Sequence, residues 1–298
     1  MGDSRLGSKR LIVRAAVVLL ALAFLGGLAL SWYIGGELIA PALRPVGPPP
    51  PALGGSDVTF PSESGSLIHG WYSAGVPGDG AVLLLHGVGA DRSEMSGRAL
   101  FLHALGYAVL AIDFQAHGES PGKHITVGYL ESRDAVAAVG YLQRAAPGER
   151  IGVIGVSMGA AAIVLAKKPL PLSAVVLESM YPTIEEAIGD RMKAAMGKWG
   201  PALSPLLLLQ LRPRLGAGVA ALHPIDSIAR IGAPLLLIHG AEDRLTTLDE
   251  ARRVFGAAAQ PKTFWVVPGA GHVDMHDFAT VEYERRITEF FAEHLARR

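Results

Sequence analysis

Polarity disappears early in this chain. Ala15 to Ile34 carries no charge, and Ser31 is its only aliphatic hydroxyl. A helix of about twenty residues spans roughly 30 Å, the thickness of a bilayer's hydrocarbon core. Pro41, Pro45 and Pro48–Pro51, with Gly47, Gly54 and Gly55, follow directly. Such a stretch builds no core and predicts an extended, semi-rigid spacer. From Asp57 onward the pattern changes again, to short apolar runs separated by longer amphipathic segments. The runs predict strands at Leu67–Tyr72, Ala81–His86, Tyr107–Ile112, Ile151–Val156, Ala174–Leu177, Pro234–His239 and Thr263–Val267. The segments predict helices around Glu94–Leu105, Tyr129–Ala145, Met158–Lys167, Leu248–Ala258 and Val281–Ala296. Continuously apolar strands that alternate with helices imply an α/β fold: a mostly parallel central sheet covered by helices on both faces.

One stretch breaks the alternation. Tyr181 to Asp226 holds Met192, Met196, Trp199 and the run Leu206–Leu209, punctuated by five prolines. Plain crossover connections are far shorter, so a helical cap inserted over the sheet is expected, with two ordinary surface helices as the competing reading. The organisation is then residues 1–36 as an N-terminal anchor, 37–56 as a linker, and 57–298 as one domain with a cap at about 181–226.

The flanks of the first apolar block suggest its role. Arg5, Lys9, Arg10 and Arg14 precede it, and Trp32 and Tyr33 close it. Basic residues favour the cytoplasmic side, and aromatic rings favour the far interface. A single-pass membrane protein is expected, anchored through residues 15–34, with its folded domain extracytoplasmic. A cleavable signal peptide competes, but its apolar region is normally about 7–15 residues. A buried core helix also competes, though the block has no polar face and a proline-rich stretch follows it.

Charge narrows the partners. Lys plus Arg number 27 and Asp plus Glu number 27. No basic cluster sits in the body of the chain, which argues against nucleic acid. There is no cysteine, which excludes disulfides, thiolate metal sites and a cysteine nucleophile.

Chemistry concentrates at strand ends. Gly155-Val156-Ser157-Met158-Gly159 joins the run ending at Val156 to an alanine-rich helix. The glycines permit a sharp bend and close strand–helix approach, which lifts the serine hydroxyl out of the core. A serine needs a base, and the base needs an orienting carboxylate. The strand to His239 runs into Gly240-Ala241-Glu242-Asp243-Arg244, and the strand to Val267 runs into Pro268-Gly269-Ala270-Gly271-His272. Candidates thus occur on loops after successive strands. Glu242, Asp243 and Glu178 compete as the acid. His272 competes with His276 nearby and with His86, His117 and His239 elsewhere.

With these motifs, residues 57–295 resemble the α/β-hydrolase superfamily, particularly its serine-esterase and aminopeptidase-like branch. His86-Gly87-Val88-Gly89-Ala90 is similar to its first oxyanion loop. Asp113-Phe114-Gln115-Ala116-His117-Gly118-Glu119-Ser120 is similar to its D-x-R-G-H-G-x-S, with Gln115 and Ala116 in place of Arg and Gly. The resemblance implies a Ser157–Asp243–His272 triad. Two backbone N–H groups, of Val88 and Met158, would form the oxyanion hole. It implies no cofactor. A metal on His272-Val273-Asp274-Met275-His276-Asp277 is not expected, because no second ligand cluster completes a shell.

The activity expected is a membrane-anchored serine hydrolase cleaving carboxylic esters or related acyl bonds, with a small-molecule or lipid-like acyl substrate. The same residues would serve a peptidase or an acyltransferase. A non-catalytic binding module on the same scaffold is the reading from another class.

Overall fold

A computed structural model describes residues 3–296, with side chains from residue 13 onward. Arg5, Lys9 and Arg10, which carry part of the topology argument, lie outside the described side chains. Helix α1 runs Asp3–Leu38. Within it, Val13–Leu38 has a mean hydropathy of 2.3 and is long and apolar enough to cross a membrane.

The strands are β1 Ser56–Pro61, β2 Leu67–Ser73, β3 Ala81–Leu85, β4 Ala108–Ile112, β5 Ile151–Val156, β6 Ala174–Glu178, β7 Leu235–Gly240 and β8 Lys262–Val267. They form one eight-stranded sheet in the order β8-β7-β6-β5-β3-β4-β2-β1. Only β2 runs against its neighbours, so the sheet is mostly parallel, as expected. Although β3 is apolar throughout, its side chains divide by period two. Ala81, Leu83 and Leu85 join one core layer, while Val82 and Leu84 join the other. Helices α3 (Glu131–Ala145), α4 (Met158–Val164) and α7 (Leu248–Ala257) cover the first face. Helices α2 (Ser96–Ala104) and α8 (Thr280–Leu295) cover the second.

Three segments differ in detail from their sequence patterns. Strand β1 alternates only briefly, with Val58 half-buried and Phe60 buried between exposed neighbours, too short a pattern to have been read as a strand. The helix expected from Glu94 begins as a 3-10 turn, Arg92–Met95, because the Asp91 carboxylate accepts from the Ser93 N–H at 2.9 Å. The Pro/Gly stretch lies against the domain rather than standing free. Ala42 N–H donates to the Ala116 carbonyl at 2.8 Å, Trp71 Nε1 donates to the Gly47 carbonyl at 3.0 Å, and Leu53 is buried.

Between β6 and β7 the chain forms α5 (Ile184–Met196), a 3-10 turn and α6 (Ser204–Leu215). Thr183 starts α5 by accepting from the Glu186 N–H. Gly216, in the left-handed region, ends α6. Helix α6 packs against the last turns of α1.

Candidate active site

Ser157 occupies the turn from β5 to α4 with φ 49° and ψ −107°. A positive φ at a residue with a Cβ is strained and persists only where the surroundings hold it. Ser157 N–H donates to the Glu178 carbonyl at 2.8 Å, and its own carbonyl accepts from the Ala161 N–H at 3.1 Å. The flanking glycines are dictated by contact. A Cβ on Gly159 would lie 2.4 Å from the Leu85 carbonyl oxygen, and one on Gly155 would lie 2.7 Å from Ile163 Cδ1. Any larger residue would push helix and strand apart and lower the hydroxyl.

The loop after β3 comes beside this turn. A Cβ built on Gly87, the residue before Val88, would sit 3.9 Å from Ser157 Cβ. Two buried histidines fix the loop. His86 Nε2 accepts from the Phe114 N–H at 3.1 Å, which leaves Nδ1 as the protonated nitrogen, donating to the Gly87 carbonyl at 2.7 Å. His117 Nε2 accepts from the Gly89 N–H at 3.1 Å, and Nδ1 donates to the Gln115 carbonyl at 2.9 Å. Burial and the neighbouring His117 push His86 down to about 3. Burial likewise lowers His117. Neither ring is free to act as a base.

The acid and base of the sequence argument do meet. Asp243, buried after β7, brings Oδ2 to 2.7 Å from His272 Nδ1. Its Oδ1 accepts the N–H groups of Leu245 and Thr246 at 2.8 and 3.0 Å. Burial raises the Asp243 carboxyl. The hydrogen bond and charge of His272 outweigh it, together with those amides, so the group stays ionised below the usual range. With Nδ1–H committed to Asp243, the neutral His272 ring keeps its Nε2 lone pair available. Thr246 Oγ1 also approaches Nδ1, at 3.2 Å. No hydrogen bond joins Ser157 Oγ to His272 among the described residues; such contacts are often long without substrate.

The rival residues are exposed or engaged elsewhere. Glu242 is exposed. Glu178 is buried and accepts from Arg98 Nη2 at 2.7 Å and from Tyr283 Oη at 2.5 Å. His239 Nε2 bonds the Thr246 carbonyl at 2.8 Å, and His276 Nε2 lies 3.0 Å from Glu284. Asp274, His276 and Asp277 bring their ligand atoms within 4.8 Å of one another. Asp274 is already taken, however, by Arg98 Nη1 at 2.7 Å and by the Asp277 N–H at 2.9 Å. A cation there would have to displace a guanidinium.

Arg98 is the residue the sequence argument missed. Its guanidinium ties Glu178 at the end of β6 to Asp274, two residues beyond His272. A lone arginine in an amphipathic helix gives no signal of this.

Beside the Val88 side chain, α5, α6 and the last turn of α1 enclose an apolar cavity of about 470 Å³. This falls within the usual size of small-molecule sites.

A model of the alpha/beta hydrolase family matches residues 82–286. The chain belongs to that family. Among relatives, the hydrolase is 33% identical over 272 residues to the uncharacterized protein Rv2307c of Mycobacterium tuberculosis, covering 89% of this chain and 90% of that one. It is 23% identical over 202 residues to the lysophosphatidylserine lipase ABHD12 of Macaca fascicularis, covering 65% of this chain and 49% of that protein. Its fold matches the Pyrococcus furiosus esterase Pf2001 with a TM-score of 0.69 at 28% identity, over 85% of this chain and 98% of that one.

This hydrolase departs from the family pattern at Gln115 and Ala116. Gln115 donates its amide to Glu131 at 2.6 Å, so a neutral donor serves where the pattern has a cation. Ala116 keeps the left-handed backbone expected of the glycine, with φ 59°.

Proposed function

We propose that this hydrolase is a membrane-anchored serine esterase in which Ser157 is the nucleophile, His272 the base and Asp243 the orienting acid. The observation that carries the reading is the 2.7 Å Asp243–His272 pair, contributed by loops after β7 and β8 in a chain whose β5 ends on the strained Ser157. His272 Nε2 takes the Ser157 proton as Oγ attacks the ester carbonyl carbon. Asp243 stabilises the imidazolium that results. The Val88 and Met158 amides receive the oxyanion; each such donor contributes about 2.7–4 kcal/mol to the transition state. Collapse breaks the ester C–O bond, and His272 returns the proton to the departing alkoxide. Water, deprotonated by the same ring, then releases the acid from the acyl-serine. The names of the Pyrococcus furiosus esterase and the lysophosphatidylserine lipase favour an ester over an amide.

Anchoring rests on α1. The most apolar part of its span is unburied, and Arg14 and Trp32 stand at its two ends, so the domain after residue 38 lies on the side opposite the basic flank. Contacts between its last turns and α6 favour retention of the helix over cleavage as a signal. Protease protection of the domain in intact bacterial cells would reverse this topology.

The test of the chemistry is hydrolysis of p-nitrophenyl esters from acetate to palmitate by the full chain in detergent. Turnover that vanishes in Ser157→Ala supports the reading. Turnover retained by that variant refutes the nucleophile.

A further inference from the structure

Most of α1 touches nothing in the domain, yet its end is fixed closely. Gln210 Nε2 on α6 donates to the Ser31 carbonyl at 3.0 Å and meets Ser31 Oγ at 3.1 Å. The Arg214 guanidinium lies 4.0 Å from the Trp32 ring centroid and donates to the Trp32 carbonyl. Gly35 is packed on Gln210, where a Cβ would lie 2.2 Å from Oε1. Ile39 enters the core, and its carbonyl accepts from the Ile125 N–H at 2.9 Å. A simple tether needs none of these contacts.

What they build is a wall. Ile34, Gly35 and Leu38 line the 470 Å³ cavity opposite Ile184, Met192 and Leu207, with Val88 also on its lining. Val88 joins the cavity to the loop whose Gly87 approaches Ser157, and one side of the cavity is the last turn of the apolar helix. Trp32, with Arg214 stacked on it, sets the level of the interface. The cavity begins within one helical turn of that level.

We infer that the last turn of α1 is part of the acyl-binding site, and that the substrate is a single-chain lipid ester drawn from the leaflet in which the enzyme is anchored. The chain lies between Ile34 and Leu38 on one side and α5 and α6 on the other, with its ester carbonyl at Val88 and Ser157. The inference rests on the serine-hydrolase reading and adds to it a substrate class and a role for the anchor. Each methylene held there favours binding by roughly fourfold.

The experiment uses the wild-type full chain in phospholipid nanodiscs and an alkyl fluorophosphonate with a diazirine near the end of its chain. Ser157 Oγ bonds to phosphorus, fluoride leaves, and His272 takes the proton. Irradiation then marks what the chain touches, and peptide mapping reads it. Adducts on residues 34–39 are expected. Adducts confined to other segments while Ser157 carries the probe would overturn the inference and leave the hydrolase standing. A folded chain whose Ser157 takes no probe would overturn the hydrolase reading and this site together. Leu38→Asp supplies a second readout: its kcat/KM for palmitate relative to butyrate should fall at least tenfold, and an unchanged ratio would count against the wall.

Discussion

Replacing Arg98 with methionine tests whether the buried ion cluster holds the base loop. The Arg98 and Glu178 side chains are each 1% exposed, and that of Asp274 is 23% exposed. The substitution removes one cation that donates to Glu178 from Nη2 at 2.7 Å and Nε at 3.2 Å, and to Asp274 from Nη1 at 2.7 Å. It leaves Glu178 ionised in the core with the Tyr283 hydroxyl as its remaining side-chain donor. Breaking one side of a buried pair costs about 3–5 kcal/mol. For a domain of this size that lowers Tm by roughly 6–20 °C. Urea unfolding in detergent measures it, and Trp265 is a local reporter because its ring centroid lies 6.4 Å from that of Tyr283. Most of the penalty is the stranded carboxylate, so Arg98→Met with Glu178→Gln should cost less than Arg98→Met alone. Turnover should fall along with stability, since Asp274 sits two residues past His272. An Arg98→Met chain within about 1 kcal/mol of wild type would refute the reasoning.

Three further outcomes follow from the geometry. Asp243→Asn should lower kcat by roughly 10⁴-fold with little change in KM, because His272 Nδ1 loses the acceptor that fixes its tautomer; a loss below tenfold in ester assays counts against the role. Gly159→Ala should cut turnover at least tenfold, since its Cβ would meet the Leu85 carbonyl at 2.4 Å; full activity would show that the elbow tolerates displacement. Burial drives the Asp134 carboxyl up to about 7 from 3.8, with buried Glu131 adding repulsion, against hydrogen bonds from Ser62 and the Gln115 N–H. The folded state therefore binds the extra proton, and its stability is lost as pH rises from about 4 to 7. Asp134→Asn should gain on wild type across that window, by up to about 4 kcal/mol, in unfolding curves taken at pH 4, 5, 6 and 7; a constant difference refutes it.

The strained strand-to-helix turn that carries Ser157 was legible in the sequence because its determinants are local: an apolar strand, two glycines set by contact, and an alanine-rich helix. Asp243 and His272 were legible through chain order, since each follows a strand that ends at the same edge of the sheet. Arg98 was not. Its partners lie 80, 176 and 185 positions away, and nothing in helix α2 marks one arginine as buried. The wall formed by α1 was hidden for the same reason, because residues 34–38 and 207–211 are related only through the tertiary fold. Strand β1 was missed because its inward face holds only Val58 and Phe60, a single repeat of the period-two pattern.

The paired histidines beneath the Gly87–Gly89 loop also carry a consequence in acid. Each ring holds an N–H donor's partner on one nitrogen and a carbonyl on the other, so neither can take a second proton without losing a backbone hydrogen bond. The unfolded chain has no such restriction and gains that proton near pH 6.5. Between pH 6.5 and the value of about 3 for buried His86, these rings bias the population toward the unfolded state as acidity rises, against the opposite contribution of Asp134. Through these two rings acid acts as a census rather than a dial: it changes how many molecules are folded, and each folded one keeps the same Gly87–Gly89 loop.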